Sequence, residues 1–178
     1  MRSRAGRWLL GIFLALVVIF VLGALLLPAR MHAESVRTLN APAEKLYPLL
    51  VNLRDGWPLW SPFGKNHDPK LVETFSGPPS GAGAKESWSG GGMQPGSIEI
   101  VSADPGRVKV HIELQGGVVI DADIVLKAEG PQRTQVRWAD DVQPGTALGA
   151  RWMGLMLPRI LAPTIDEAFD GLERAAAK

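Results

Sequence analysis

The sequence predicts an α+β domain, a curved antiparallel sheet around a long C-terminal helix, behind one N-terminal transmembrane helix. Three observations predict it. Trp8–Leu27 is a run of twenty residues without a charge. Between Ile98 and Trp138 apolar residues recur at every second position, the period of strands with one buried face and one wet face. Ile165, Ala168, Phe169 and Leu172 recur at i, i+3, i+4 and i+7, which is the stripe of an amphipathic helix.

With 178 residues, 46% apolar and 21% charged, the chain suits one domain and an appendage, since single domains commonly run to about 100–200 residues. So much apolar material excludes a disordered chain. The absence of Cys excludes disulfide frameworks, zinc–thiolate sites, iron–sulfur clusters and thiol nucleophiles. The net charge of +1 hides an asymmetry: residues 1–30 hold four Arg and no acid. The remainder is slightly acidic, with no basic stripe of the kind that nucleic-acid binding requires.

At roughly 1.5 Å per residue, a helix over Trp8–Leu27 matches a hydrocarbon core of about 30 Å. Arg2, Arg4 and Arg7 precede it, and Pro28 and Arg30 follow. The competing reading is a cleaved signal peptide, whose apolar region usually covers only about 7–15 residues. Cleavage after Ala33 would also put the bulky Met31 at −3. The lipid bilayer is therefore an expected partner through residues 8–27. Positive charge ahead of the span places the N-terminus in the cytoplasm and the domain outside, in the periplasm of a bacterium. Residues 1–33 read as anchor and linker, and 34–178 as the domain.

Within the domain, Glu34–Leu39 reads as a short strand. Asn40 is a helix cap with Pro42 in the first turn. Leu46, Leu49, Leu50 and Leu53 lie at helical spacing up to Asp55-Gly56, with Pro48 forcing a kink or an early end. Asp104-Pro105-Gly106, Gln115-Gly116-Gly117 and Gly130-Pro131-Gln132 punctuate the alternating strands as hairpin turns. Asp140-Asp141 reads as a turn closing the last strand.

This order of elements resembles the START-like, or SRPBCC (polyketide cyclase/dehydrase), superfamily with its helix-grip fold. Trp57–Phe63, WPLWSPF, is similar to the W-x-x-W-x-P segment that follows the first helix in such proteins. Ser76–Gly90 resembles their G-x-G…W-x-G strand, Thr134–Trp138 their T-x-V-x-W strand, and Phe169–Leu172 their F-x-x-G-L helix ending. The resemblance covers about residues 34–176, though Ala147–Pro163 is richer in apolar residues and proline than the family pattern. It implies an apolar cavity between sheet and helix that takes up a lipid, polyketide-like or quinone-like molecule. Trp57, Trp60, Phe63 and Trp88 would then lie near its mouth, with Met153 and Met156 opposite as deformable lining. Filling of the core by the same residues is the alternative, and Trp138 reads as core.

Chemistry is poorly provided for. His32, His67 and His111 lie apart, with no second His at ligand spacing, so no metal or cofactor is expected. The glycines at 81, 83 and 90–92 are not followed by Gly-Lys-Ser/Thr and make no phosphate loop. A cyclase- or dehydratase-type enzyme would need an acid or base in the cavity. Glu99, Glu113 and Asp123 are the nearest, all on the wet strand face, as is Asp121. Three readings remain open: a ligand binder without catalytic residues, an enzyme using the same cavity, and a membrane-tethered interaction module. No protein partner is specified by the sequence.

Overall fold

A computed structural model describes residues 4–28, 30–145, 149, 151–152 and 156–178. Helix α1 (Arg4–Leu26) comes first. Its Trp8–Leu26 portion is long and apolar enough to cross a membrane, and most of its Leu, Ile, Val and Phe side chains are exposed. Then follow β1 (Met31–Leu39), α2 (Ala43–Val51), a 3₁₀ turn (Trp57–Leu59), β2 (Leu71–Ser76) and β3 (Lys85–Gly90). The chain continues through β4 (Gly96–Asp104), β5 (Arg107–Leu114), β6 (Val118–Gly130) and β7 (Arg133–Gln143) to helix α3 (Leu157–Ala176).

The seven strands form one sheet in the order β1-β7-β6-β5-β4-β3-β2, and every neighbouring pair is antiparallel. The three expected hairpin turns join β4 to β5, β5 to β6 and β6 to β7. Alternation divides the faces as expected. Ile98, Val108, Val110, Ala122, Ile124 and Val136 point inward and are buried. Lys85, Glu99, Arg107, His111, Glu113, Asp121 and Asp123 point outward and pair with one another across strands.

Helix α3 lays Ile165, Ala168, Phe169, Leu172 and Ala176 into the core, the stripe the spacing predicts. Gly171 is required there because a Cβ would stand 2.1 Å from the Trp60 carbonyl oxygen. This contact locks the C-terminal half of α3 to the turn after α2. Arg37 pairs with Asp170 at 2.7 Å, Glu173 accepts from the backbone and side-chain nitrogens of Asn40, and Lys45 donates to Ala176 O. Helix α3 therefore runs alongside β1 and ends where β1 ends.

Four local expectations change. Asn40 does not cap α2. Pro42 occupies that position in extended backbone while Asn40 turns to Glu173. Helix α2 stops at Val51, three residues beyond Pro48, and not at Asp55-Gly56. Strand β1 begins at Met31, because Met31–Ala33 find partners in Asp140–Val142. For the same reason Asp140-Asp141 is no turn but lies within β7, paired on both sides.

Candidate functional site

The inner face has two ends. The near end is where α1 delivers the chain to Met31 and where the β3–β4 and β5–β6 turns lie. The far end carries Leu39, the β4–β5 and β6–β7 turns and the C-terminus of α3. At the far end Leu39, Val108, Ile124, Val136 and Phe169 are wholly buried. At the near end Trp88, Ile112, Leu114, Val118 and Ile120 are only half-buried on the same concave face. Cross-strand pairing sets these side by side: Ile120 with Ile112, Ile112 with Ile98, Val118 with Leu114, and Leu114 with Gly96.

Trp88 lies over Gly96, its partner on β4, where a Cβ would come within 2.8 Å of the indole. Its Nε1–H donates to Gln94 O at 2.8 Å, which fixes the ring against the β3–β4 turn. Between Trp88 and the core stands Glu86, opposite Ile98 and Phe75 on the inner face. Burial, with the nearby charge of Glu73, pushes its carboxyl up to about 7. Glu73 is held in turn, its Oε1 accepting from the Lys65 N–H at 2.7 Å. A second inward acid, Asp140, is 5% exposed and accepts from Trp138 Nε1–H at 2.9 Å. Burial pushes it up to about 6, against the lowering effect of that hydrogen bond.

The aromatics form a ladder running into the core. Trp57 and Trp60 stand 4.8 Å apart, Trp60 and Trp138 5.9 Å, and Trp138 and Phe169 6.3 Å. The first two indoles have a local task. The early end of α2 leaves its last carbonyls without helical partners, and Trp57 and Trp60 donate Nε1–H to Leu50 O and Leu49 O at 2.8 and 3.1 Å.

The predicted mouth residues are thus dispersed. Trp60 is a core residue, 4% exposed, and Trp57 is half-buried behind it. Trp88 reaches the half-open near end. Phe63 and Met156 are 53% and 51% exposed, on the loop before β2 and at the start of α3. Met153 lies outside the described residues. Trp138 is core, 9% exposed. Glu99, Glu113, Asp121 and Asp123 stay on the outer face. There Asp123 takes a two-pronged pair from Arg107, and Asp121 meets His111 Nδ1 at 2.6 Å, an arrangement that raises the His111 pKa.

Glu73 and Glu86 were not singled out from the sequence, and Asp140 was read there only as part of a turn. Residue parity was the available signal, since Glu86 is two residues from Trp88 and Asp140 two from Trp138. Among the described residues no three His, Asp or Glu side chains converge as a metal site would require. A cleft of about 190 Å³ lies between Leu53, Arg54, Phe75, Ala84 and the turn after β2. It is smaller than the roughly 300 Å³ from which small-molecule pockets usually start.

The sequence profile of a family described as polyketide cyclase / dehydrase and lipid transport matches residues 30–177, most of the chain. The chain belongs to that family. Its START-like helix-grip sheet is also that of solved structures at low identity. The Zhui aromatase/cyclase from Streptomyces sp. R1128 is 15% identical, with a TM-score of 0.59 over 83% of this chain and 94% of that one. Truncated norcoclaurine synthase from Thalictrum flavum is 11% identical, with a TM-score of 0.59 over 82% and 92%. Protein CV1439 from Chromobacterium violaceum is 12% identical, with a TM-score of 0.59 over 83% and 97%. At such identities the likeness is one of fold. No functionally curated protein matches the sequence. Membership in the polyketide cyclase/dehydrase and lipid transport family points to hydrophobic ligands.

Proposed function

We propose that this family member is a membrane-anchored domain, its sheet beginning at Met31 behind the apolar helix, that binds a hydrophobic small molecule without covalent chemistry. The ligand would be lipid, polyketide-like or quinone-like, lying on the inner face toward the near end. The observation that carries this is the change in burial along one face, from wholly buried at Val108 and Ile124 to half-buried at Ile112, Leu114, Val118 and Ile120. Apolar surface left partly wet gains about 25 cal/mol for each Å² a ligand covers. In this reading Trp88 touches the ligand, Trp57 and Trp60 support the floor, and Phe63, Met153 and Met156 meet it at the mouth. An apolar helix that reaches the bilayer suits a ligand dissolved in it. The arginines ahead of the span favour a cytoplasmic N-terminus and an extracytoplasmic domain.

Native mass spectrometry of the full chain, taken from its own membrane into nanodiscs, tests this reading. A releasable small-molecule adduct, diminished in Trp88→Ala, is expected. An unliganded wild-type chain would overturn it and favour the interaction module.

One observation favours a second reading, a cyclase- or dehydratase-type enzyme. Glu86 is an inward acid whose carboxyl, at about 7, is matched to proton transfer near neutral pH. An enzyme should accumulate a different, unreacted ligand in Glu86→Gln, whereas a binder should carry the same ligand in both forms.

A further inference from the structure

Residues 149 and 151–152, ahead of α3, are helical, and Arg151 and Trp152 touch α1. The Trp152 indole stacks on Phe20 with ring centres 5.8 Å apart and planes 10° from parallel. Its Nε1–H donates to Phe20 O at 3.1 Å. Gly23 makes the room, since a Cβ there would stand 2.3 Å from the indole. One residue earlier, Arg151 Nη1 donates to Ala24 O at 3.0 Å. That carbonyl belongs to the last turn of α1, where oxygens lack helical partners and a cation is favoured.

Phe20 is not at the edge of the apolar helix. It precedes Leu26 by six residues, on the order of 9 Å along the axis at about 1.5 Å per residue. Anything stacked on it lies at the same depth. An indole beneath an arginine is also the arrangement suited to a membrane interface, with the ring among upper acyl chains and the cation among headgroups. The surrounding composition agrees, for between Asp141 and Asp166 there is no acid and only Arg151 and Arg159 as bases.

The near-end turns themselves are also uncharged, and the acids on the adjoining strand ends lie on the outer face, where Asp141 meets His32 at 2.9 Å and Glu113 meets His111 at 3.2 Å. The turns Ser89–Pro95 and Gln115–Gly117 hold no charged residue, while Arg30 and Lys70 immediately precede the near-end starts of β1 and β2, and Lys65 lies in the loop before β2. The one acid of the loop before β2, Asp68, is occupied by the backbone N–H groups of Gly92 and Lys70. By contrast, the far-end turns after β4 and β6 are flanked by Asp104, Arg107, Lys127, Glu129 and Arg133. The far-end turn after β2 is also uncharged, but it is folded back, with Gly83 N–H donating to Ile100 O.

We infer that Arg151 and Trp152 form a second membrane-embedded contact beside α1, which seats the near end of the sheet on the bilayer and opens its inner face to the acyl chains. This inference rests on the anchor reading and deepens it: the domain is held against the membrane rather than hung from a tether, and an apolar ligand passes between lipid and sheet without crossing water.

The absence of cysteine makes the test direct. Single cysteines at Gly149, Met156, Gly11 and Lys127 in the full chain are labelled with an environment-sensitive NBD fluorophore. Each protein is placed in nanodiscs of phosphatidylcholine and phosphatidylglycerol, with or without phosphatidylcholine bearing a nitroxide near its headgroup or deep in its chain. Gly149 and Gly11 tolerate the change, since a Cβ at either meets nothing within 4 Å. Expected are loss of most emission with the shallow nitroxide at Gly149, Met156 and Gly11, the last only three residues inside Trp8, and no loss at Lys127 with either nitroxide. Quenching at Gly11 but not at Gly149 or Met156 would overturn the second contact and leave the anchor standing. No quenching at Gly11 either would overturn both.

Discussion

The far and near ends of the sheet are made from the same strands and are packed in opposite ways. At the far end, β1 runs straight into α2, and α3 returns to the same place through Glu173 with Asn40 and Lys45 with Ala176 O. Two helices therefore meet over Leu39, Val136 and Phe169, and exclude water from them. At the near end Ile112, Leu114 and Ile120 are only partly buried although they are as apolar as their far-end counterparts. Helix coverage, and not strand composition, decides which side chains become core.

The most forceful way to break this comparison is to truncate one aromatic at each end. Phe169→Ala should destabilise the protein by about 3–5 kcal/mol, the usual range for a fully buried ring. Trp88→Ala should cost about 1 kcal/mol, as expected where little core is lost, while depleting bound ligand. Urea unfolding of both variants checks this, and equal losses would mean that the near end is as filled as the far end.

The junction of α3 with the Trp60 turn comes next. Gly171→Ala drives a methyl into the Trp60 carbonyl and should cost about 1–3 kcal/mol, as overpacking does. A lowered melting temperature, with Gly149→Ala as the unstrained control, is the expected observation.

The inward acids sharpen the comparison through pH. Burial raises Glu86 from 4.5 to about 7, so the folded form holds its proton more tightly than the unfolded form. Its contribution is therefore complete below about 4.5 and is lost as pH rises through about 7. Asp140 acts in the same sense between 3.8 and about 6. Glu86→Gln should match the wild type in acid and exceed its stability above neutrality, as read from unfolding midpoints across pH. Asp140→Asn should flatten the more acidic part of the same profile. The smallest effect belongs to the outer face. Asp123→Asn breaks the Arg107 and Arg137 pairs but should cost only about 0.2–1 kcal/mol, and less as salt is added.

Much of the fold was legible because it is written in short periods. Alternation assigned β4 to β7 and their faces, and Ile165–Leu172 assigned α3. The inward acids were harder to read. Strand β3, Lys85–Gly90, is polar on both faces, so alternation gave no face to Glu86, although its parity with Trp88 did. Asp140-Asp141 imitated a turn because two adjacent acids rarely continue a strand. They do so here because Ala33 and Ala122, both small, flank Asp140 in the sheet. Trp60 was expected at a mouth, yet the early end of α2 draws it inward to cap the Leu49 carbonyl.

By itself, the sequence determined the strand periods, the turns, the stripe of α3, the apolar length of Trp8–Leu27 and the family motifs. Each depends on residues a few positions apart, whose spacing the backbone geometry converts directly into a face. Tertiary structure alone decided which end of the sheet is sealed, that Glu86 and Asp140 face inward with raised pKa values, and that Trp152 rests on Phe20. That last pair is 132 residues apart in the chain, and no local period encodes such a meeting. It follows from where the folded sheet brings the end of β7 back to the foot of α1.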